Sequence, residues 1–590
     1  MSNLRDLKIM ANKLRVYSLK STTAAGSGHP TTCMSCAEIM SCLFFQELKE
    51  DDEFILSKGH AAPILWAAYA EAGLVPVKEL MNLRKIDSVL EGHPTPRMPL
   101  VKVASGSLGQ GLPAGVGMAL AKRLDKNNGM IYVLLGDGEM SEGSIWEAAN
   151  SASYYNLSNL CAIVDVNRLG QTQQTMHGYK LKKYKQKFEA FGWNVMVIDG
   201  HKVNHILLAL KRAVKSKKPF AIIAKTLKGK GFSFVEDKDG WHGRALNQKE
   251  LEKALMQIGD VDVTLKSRVK EKKIEYEFNN FETNHYPVGD LVSTRTAFGK
   301  ALVELGKRNN KVVALDGDVK NSTKSMFFFN EFPERSFEFF IAEQNMVGAA
   351  VGFSAMDYTP FAATFGAFFS RAYDFIRMAQ YSNSNIKLVG SHAGVSVGED
   401  GPSQMGLEDI SMFLSMPDSV VLYPCDAVST EKVVREMARH QGISYMRTTR
   451  EKTTVIYDVK EKFEIGGLKV LRESKKDKAL VIGAGITVHE ALKAFEELEK
   501  KGIHIRVIDL YSIKPVDEAE LIRHAKECKN KVIVVEDHYA NGIGSVVSEV
   551  VGNIKHLYVK EIPRSGKPEE LRAKYKIDAN AIVEAVKKIK

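Results

Sequence analysis

The residues best placed to do chemistry are Asp137 and Asn167. Asp137 sits in the turn Gly136-Asp137-Gly138, and 28 residues separate Gly138 from Asn167. One carboxylate, one amide oxygen and a nearby backbone carbonyl form a set of hard oxygen donors suited to Mg²⁺. Such a set leaves coordination positions for phosphate oxygens, which is how proteins usually hold this ion. A Gly-Asp-Gly turn alone is common, because glycine allows tight turns after any strand. The spacing to Asn167 is what makes the pattern specific.

The elements that must position these two residues are legible around them. Met130 to Leu135 is a continuous apolar run, the pattern of a parallel strand buried on both faces. Ser144-Ile-Trp-Glu147 has capping-box spacing and predicts the start of a helix. A second apolar strand, Leu160 to Val166, ends at Asn167. Strand–helix–strand units are almost always right-handed and parallel. Asp137 and Asn167 therefore emerge at the carboxyl ends of parallel strands, where open α/β sheets bind ligands. The helix N-terminus beside them favours a diphosphate.

Composition narrows the function classes. The chain has 590 residues, 44% hydrophobic and 26% charged, an ordinary globular balance consistent with several domains. It lacks a run of about eighteen apolar residues, so no membrane partner is expected. The N-terminal stretch reads as an amphipathic helix without the apolar core of a signal peptide. Six cysteines in so long a chain fit a reducing, cytoplasmic compartment. Cys33-Met-Ser-Cys36 has metal or redox spacing, but no second ligand pair follows, and small residues on a buried helix explain it. The net charge of +11 is spread along the chain without the aromatic interleaving of single-strand binders, so no nucleic-acid partner is expected. A modestly basic surface equally suits phosphorylated small molecules.

Alternating helices and strands predict an α/β fold of three domains with mainly parallel sheets flanked by helices. The expected boundaries are 1–262, a linker at 263–290, 291–452 and 453–590. Strands are expected near Val312–Leu315, Phe337–Ile341 and Lys387–Val389. The third block contains Gly483-Ala-Gly485 before a helix and Asp509 after the next strand, which imitates a dinucleotide-binding unit. Val488 stands where the third glycine belongs, and strand–turn–helix packing is a sufficient explanation.

A wider set of segments carries a family resemblance. They include TTAAGSGHPT (22–31), LSKGHAAPILWA (56–67), GSLGQGL (106–112), LLGDGEMSEGS (134–144), NRLGQ (167–171), KGKG (228–231) and WHG (241–243). STRTAFG (293–299), LDGDVKNST (315–323), IAEQNMV (341–347), GEDGPSQM (398–405), EDHY (536–539) and PRSGKP (563–568) follow in order. The chain resembles the transketolase family, particularly its mammalian-type form. The resemblance implies a thiamine-diphosphate-binding fold with a diphosphate-binding domain, a pyrimidine-binding domain and a C-terminal domain. It also implies a homodimer with active sites at the subunit interface, acting on sugar phosphates in the pentose phosphate pathway. The reaction it implies is reversible transfer of a two-carbon ketol unit from a ketose phosphate to an aldose phosphate. Xylulose 5-phosphate is a representative donor, and ribose 5-phosphate or erythrose 4-phosphate a representative acceptor. Thiamine diphosphate supplies the carbanion chemistry, and the protein supplies geometry and proton placement.

Carried over by position, Asp137, Asn167 and the Leu169 carbonyl would hold Mg²⁺, with Ca²⁺ or another divalent ion as a substitute. Thr32, His60, Gly138, Asn167, Gln171 and Lys228 would surround the cofactor, with Gly106, Ser107 and Leu108 along its middle. Glu343 would share a proton with the pyrimidine ring, and Phe365, Phe368 and Phe369 would give that ring a stacking wall. His29 and His242 would exchange protons with the donor hydroxyl, since imidazole titrates near working pH, and His93 would contact sugar hydroxyls. Arg295, Ser322, His392 and Arg450 would bind phosphate, Asp400 a hydroxyl beside the reacting carbonyl, and Gln404 would line the substrate channel. Two positions depart from the common pattern. Thr32 replaces a serine, and Gln404 stands where many relatives carry histidine. The competing enzyme reading is a deoxyxylulose-phosphate synthase-like reaction starting from pyruvate. A catalytically inactive transketolase-like protein is the competing non-enzyme reading.

Overall fold

Apolar strands bounded by glycine and polar residues build three parallel-rich sheets in the computed structural model, which describes residues 3–270 and 278–589. The chain divides into two compact units. The first comprises 1–275 with the short pieces 351–356 and 381–383, and the second comprises the remainder.

In the first unit, β1 (Glu53–Leu56), β2 (Ile131–Gly136), β3 (Leu160–Val166), β4 (Asn194–Asp199) and β5 (Phe220–Lys225) form one sheet in the order β1-β2-β3-β5-β4. Every pairing is parallel. All seven residues of β3 are buried, as its unbroken apolar character requires, with Asp165 the one charged exception. The N-terminal helix Leu4–Ala25 is capped by Asn3, whose side chain accepts from the Asp6 N–H at 2.8 Å, and it stops where Gly26 turns left-handed. Its buried face joins a core that includes Met10, Leu14, Met34, Trp66 and Ile163. Cys33 and Cys36 are buried in that core, and burial pushes both thiols up, Cys36 to about 12.

The capping box expected at Ser144 is absent. The helix runs Gly143–Tyr154 from Glu142 without a side-chain cap, and Ser144 Oγ instead donates to the Gly109 carbonyl at 3.1 Å. A tertiary hydrogen bond has taken the hydroxyl that local spacing assigned to the helix end.

In the second unit, β7 (Val312–Asp316), β8 (Ser336–Glu338), β9 (Thr359–Phe365), β10 (Lys387–Ser391), β11 (Val420–Leu422), β12 (Ser444–Arg447) and β17 (Ser512–Lys514) form a sheet ordered β17-β11-β12-β10-β9-β7-β8. β17 is its antiparallel edge. β6 (Leu291–Ser293) and β13 (Lys452–Thr454) form a separate antiparallel pair. The strand expected at 337–341 ends at Glu338, because the chain bends to a left-handed φ of 57° at Phe340. A third sheet, order β14-β16-β15-β18-β19, uses Lys469–Arg472, Arg506–Asp509, Leu480–Gly483, Val532–Val535 and Lys555–Leu557 respectively.

In that third sheet the glycines of the Gly-Ala-Gly turn serve packing. A Cβ on Gly485, at φ 57°, would lie 2.0 Å from the Tyr423 ring, and one on Gly483 would lie 2.9 Å from Thr487 Oγ1. Asp509 is buried and accepts from Tyr457 at 2.8 Å and from Cys425 at 3.2 Å. The turn is filled by protein, and Asp509 does not face outward as a ribose ligand would. The expected linker, 263–290, holds no helix or strand among its described residues, and 271–277 lie outside them. Among the described residues no helix is long and apolar enough to cross a membrane.

Candidate active site

Asp137 and Asn167 lie where sequence logic puts them, at the carboxyl ends of the adjacent strands β2 and β3. Asp137 is 5% exposed; its Oδ2 accepts from the Arg168 N–H at 2.7 Å and from Thr175 Oγ1 at 3.0 Å. Its Oδ1 accepts from the Gly138 N–H at 3.0 Å. Burial, reinforced by the nearby Asp165 charge, pushes its carboxyl up to about 6. Asn167 donates through Nδ2 to Asp165 at 3.3 Å, which fixes the amide so that Oδ1 is the acceptor end. Leu169 turns its carbonyl toward the Lys228 ammonium at 2.7 Å.

These oxygens fit a divalent cation. The carboxylate is buried beside a second carboxylate, so a positive charge there relieves its electrostatic cost. The Leu169 carbonyl already accepts from a cation, and only one donor carries full charge, which leaves room for phosphate oxygens. Among the described residues no three His, Cys, Asp or Glu side chains converge as a metal site.

Four histidines meet beside that edge. His29 lies 5.4 Å from His60, 5.3 Å from His242 and 6.2 Å from His93, ring centre to ring centre, and His60 stacks on His242 at 5.3 Å. Thr32 Oγ1 meets His60 Nε2 at 3.2 Å, and the Lys228 ammonium meets His242 Nδ1 at 2.5 Å. With Nδ1 accepting, His242 carries its proton on Nε2. Gly106 approaches the ring of His93 so closely that a Cβ would lie 3.0 Å from it. Ser107 and Leu108 follow in a half-buried turn, and Gln171 is exposed after Gly170.

The surroundings push all four imidazoles below the ordinary histidine range. Burial, with Arg84, His93 and Lys228 close by, brings His29 down to about 4. Burial and Lys228 bring His242 to about 3, and burial with Lys58 lowers His60 well below its ordinary value. His93 is also lowered, by burial and by Arg84. These shifts favour the neutral imidazoles, and His29 Nδ1 is buried without a hydrogen-bond partner. That nitrogen is free to accept a hydrogen bond from a bound group or donate one to it.

Three residues that hold this edge together escaped the sequence reading. Asp165, fully buried, accepts from Lys58 Nζ, Thr226 Oγ1, Ser35 Oγ at 2.6 Å and Asn167 Nδ2. Burial opposes the charge on Asp165, and the Lys58 ammonium outweighs it and holds the carboxyl below its ordinary value. Glu139, 1% exposed, accepts from Ser57 Oγ, from the Gly109 N–H at 2.8 Å and from the Gly136 N–H at 3.1 Å. A charged residue inside a strand buried on both faces was the one available signal for Asp165.

The second unit carries the other expected residues. Glu343 opens the helix Glu343–Ser354 and is 5% exposed. Phe365 ends β9, stacks on Phe368 at 4.9 Å and lies over His392 at 3.7 Å. Phe369 is not part of that stack. It is fully buried and packs edge-on against Phe413 and Tyr445, because the turn at 366–372 points it into the core. His392 adopts a left-handed φ of 59° and shares a hydrogen bond with Ser391 Oγ at 2.9 Å. Burial and the charges of Arg295 and Arg450 lower it to about 3.

Arg295 donates from Nη1 to the Ser322 carbonyl at 3.0 Å, while its Nε is buried without a partner. Arg450 donates to the Val397 carbonyl at 2.8 Å and to Asp400 at 3.2 Å. Two guanidinium groups, a serine and a neutral imidazole thus share one end of this unit, and the orphan Nε–H fits an anionic oxygen. Gln404 is half-buried, with its amide 3.4 Å from Ser403 Oγ.

A parallel α/β sheet presenting hard oxygens and a buried histidine cluster at one edge defines a cofactor-dependent enzyme of the diphosphate-binding kind. Residues 7–281 match the family model of the transketolase thiamine diphosphate binding domain, 290–455 the transketolase pyrimidine binding domain, and 468–582 the transketolase C-terminal domain. The chain is 49% identical to human transketolase over 608 residues, covering 99% of this chain and 97% of the relative. It is 49% identical over 609 residues to mouse transketolase-like protein 2, with 99% and 97% covered. Among solved structures it superposes on transketolase from Campylobacter jejuni with a TM-score of 0.90 at 26% identity, covering 99% of each chain. The chain belongs to the transketolase family.

Proposed function

We propose that this protein transfers a two-carbon ketol unit from a ketose phosphate to an aldose phosphate, as a thiamine-diphosphate-dependent transketolase of the pentose phosphate pathway. The observation that carries the reading is the four-histidine cluster at the Asp137–Asn167 edge. A reaction that moves protons among sugar hydroxyls needs several imidazole nitrogens gathered within reach of one substrate.

In this reading Asp137, Asn167 and the Leu169 carbonyl hold Mg²⁺ or Ca²⁺, and Gly138, His60 and Lys228 receive the diphosphate. Thr32 orients His60 through their hydrogen bond, Gln171 borders the diphosphate end, and Gly106, Ser107 and Leu108 shape the middle of the cofactor seat. When bound, thiamine diphosphate supplies the carbon nucleophile that cleaves and re-forms the carbon–carbon bond. Glu343 holds a proton at the pyrimidine ring, against the Phe365–Phe368 wall. His242, protonated on Nε2, and His29, with Nδ1 open, pass protons to and from the donor hydroxyl. His93 binds a neighbouring hydroxyl. Arg295 offers its unpartnered Nε–H to the sugar phosphate, with Ser322, His392 and Arg450 beside it. Asp400 and Gln404 meet the sugar near its reacting end.

The protein acts as a cytoplasmic homodimer in this reading, with Glu343 of one subunit serving the diphosphate end of its partner. Incubating the protein with thiamine diphosphate, Mg²⁺, xylulose 5-phosphate and ribose 5-phosphate should yield sedoheptulose 7-phosphate. No product would overturn the proposal, and CO₂ release from pyruvate would favour the deoxyxylulose-phosphate synthase-like alternative.

A further inference from the structure

Arg84 occupies an unusual position for an arginine. Its φ of 62° lies in the left-handed region, which costs a non-glycine residue about 1–2 kcal/mol and is retained where the surroundings impose it. The backbone there is pinned by the Arg84 N–H donating to the Leu90 carbonyl at 2.9 Å. Its Nη1 donates to Ser27 Oγ at 2.6 Å. The guanidinium also lies against Gly92, where a Cβ would come within 2.8 Å of Nε and 3.0 Å of Cζ. Ser27 is two residues before His29, and Gly92 immediately precedes His93. The guanidinium is therefore held between the two segments that carry these histidines, whose rings are 6.2 Å apart.

Its guanidinium has no carboxylate partner among the described residues. Arg15, Arg168 and Arg244 of the same unit each bind a carboxylate, Glu38, Asp237 and Glu250 respectively. Among the described residues Arg84 forms no such pair, and Ser27 is the one side chain to which its guanidinium donates. A guanidinium has five N–H donors in a planar fork, so most of them remain available. The residue is exposed to solvent.

We propose that Arg84 is a specificity-determining residue of the ketol-transfer site, its guanidinium donating to an oxygen of the ketose beside His29 and His93. The inference rests on the transketolase reading above. A planar fork held between the segments that carry two imidazoles recognises a polyhydroxylated substrate by supplying several donors, where each neutral imidazole supplies one. The same cation helps keep both imidazoles unprotonated.

The test compares Arg84→Gln and Arg84→Lys with the unaltered protein. The readouts are kcat and KM for xylulose 5-phosphate, the pH profile of kcat/KM, and the Kd for thiamine diphosphate with Mg²⁺. Arg84→Gln should lower kcat/KM at least tenfold, mainly through KM, and move the acid limb of the profile to higher pH. Arg84→Lys should keep the acid limb in place while losing part of the affinity, since the charge remains and the fork does not. Cofactor affinity should stay within twofold in both. Wild-type kcat/KM and acid limb in Arg84→Gln, in an assay where the unaltered protein forms sedoheptulose 7-phosphate, would overturn the inference. A parallel loss of cofactor affinity would assign Arg84 to folding and overturn it too. If the unaltered protein forms no product, the ketol-transfer reading fails and this inference with it.

Discussion

Replacing Lys58 with methionine tests how the diphosphate-binding edge is held. The Lys58 ammonium is 1% exposed and contacts Asp165, which is 0% exposed, as well as the Thr32 carbonyl at 3.2 Å. Methionine fills similar space but leaves the Asp165 carboxylate with only neutral donors. Breaking a buried ion pair from one side costs about 3–5 kcal/mol. With an unfolding entropy of about 2.1 cal/mol/K per residue, a cooperative unit of this size loses roughly 5–9 °C in Tm. Burial disfavours both charges, and each partner outweighs it for the other, lowering Asp165 and raising Lys58. The lowered carboxyl contributes stability present above its unfolded pKa of about 3.9 and lost on acidification through its folded value. The raised ammonium contributes stability present below its unfolded pKa of about 10.4 and lost as pH rises through its folded value. The pair therefore acts across neutral pH. Calorimetric melting of the cofactor-free protein at pH 7 measures the loss, and Lys58→Met/Asp165→Asn should recover at least half of it. A shift under 1 °C for Lys58→Met, or a double variant equal to the sum of the singles, would refute the reasoning.

The histidine cluster sets a pH dependence. His29 at about 4 and His242 at about 3 bind protons less readily folded than unfolded, so stability is lost as pH falls from about 6.5 toward 4; urea midpoints at pH 5 and 7 should differ, and less so in His29→Asn. Asp137→Asn should weaken thiamine diphosphate and Mg²⁺ binding by about 100-fold or more in titration calorimetry. The same variant should melt no lower than wild type, because it neutralises a carboxyl that burial pushes up to about 6. Glu343→Ala should abolish sedoheptulose 7-phosphate formation, and an unaffected rate would remove Glu343 from its assigned role. Gly485→Ala should cost about 2–4 kcal/mol by driving a Cβ into the Tyr423 ring at a left-handed φ, read as a lowered denaturation midpoint.

Local pattern sufficed where the structure depends on hydrophobicity and nearby turns. The run Leu160–Val166 forms a strand with the limits read from its apolar residues, and Gly136-Asp137-Gly138 ends its neighbour, because burial on both faces leaves no other use for such runs. Local pattern failed where a distant partner competed. Ser144 spends its hydroxyl on Gly109, 35 residues away, and Phe369 turns into the core beside Tyr445 rather than joining Phe365 and Phe368.

The amino-acid sequence thus determined the parallel strands, the oxygen donors at their carboxyl ends and the family to which the chain belongs, since all three rest on residue type and short spacing. Tertiary structure alone decided the charge states and the supports. Lys58 reaches Asp165 across 107 positions, and Arg84 reaches Ser27 across 57. Burial beside those cations, which no spacing encodes, is what lowers the histidines below their ordinary range. Electrostatic energy depends on distance and solvent exclusion in three dimensions, and both are fixed only when the chain is folded.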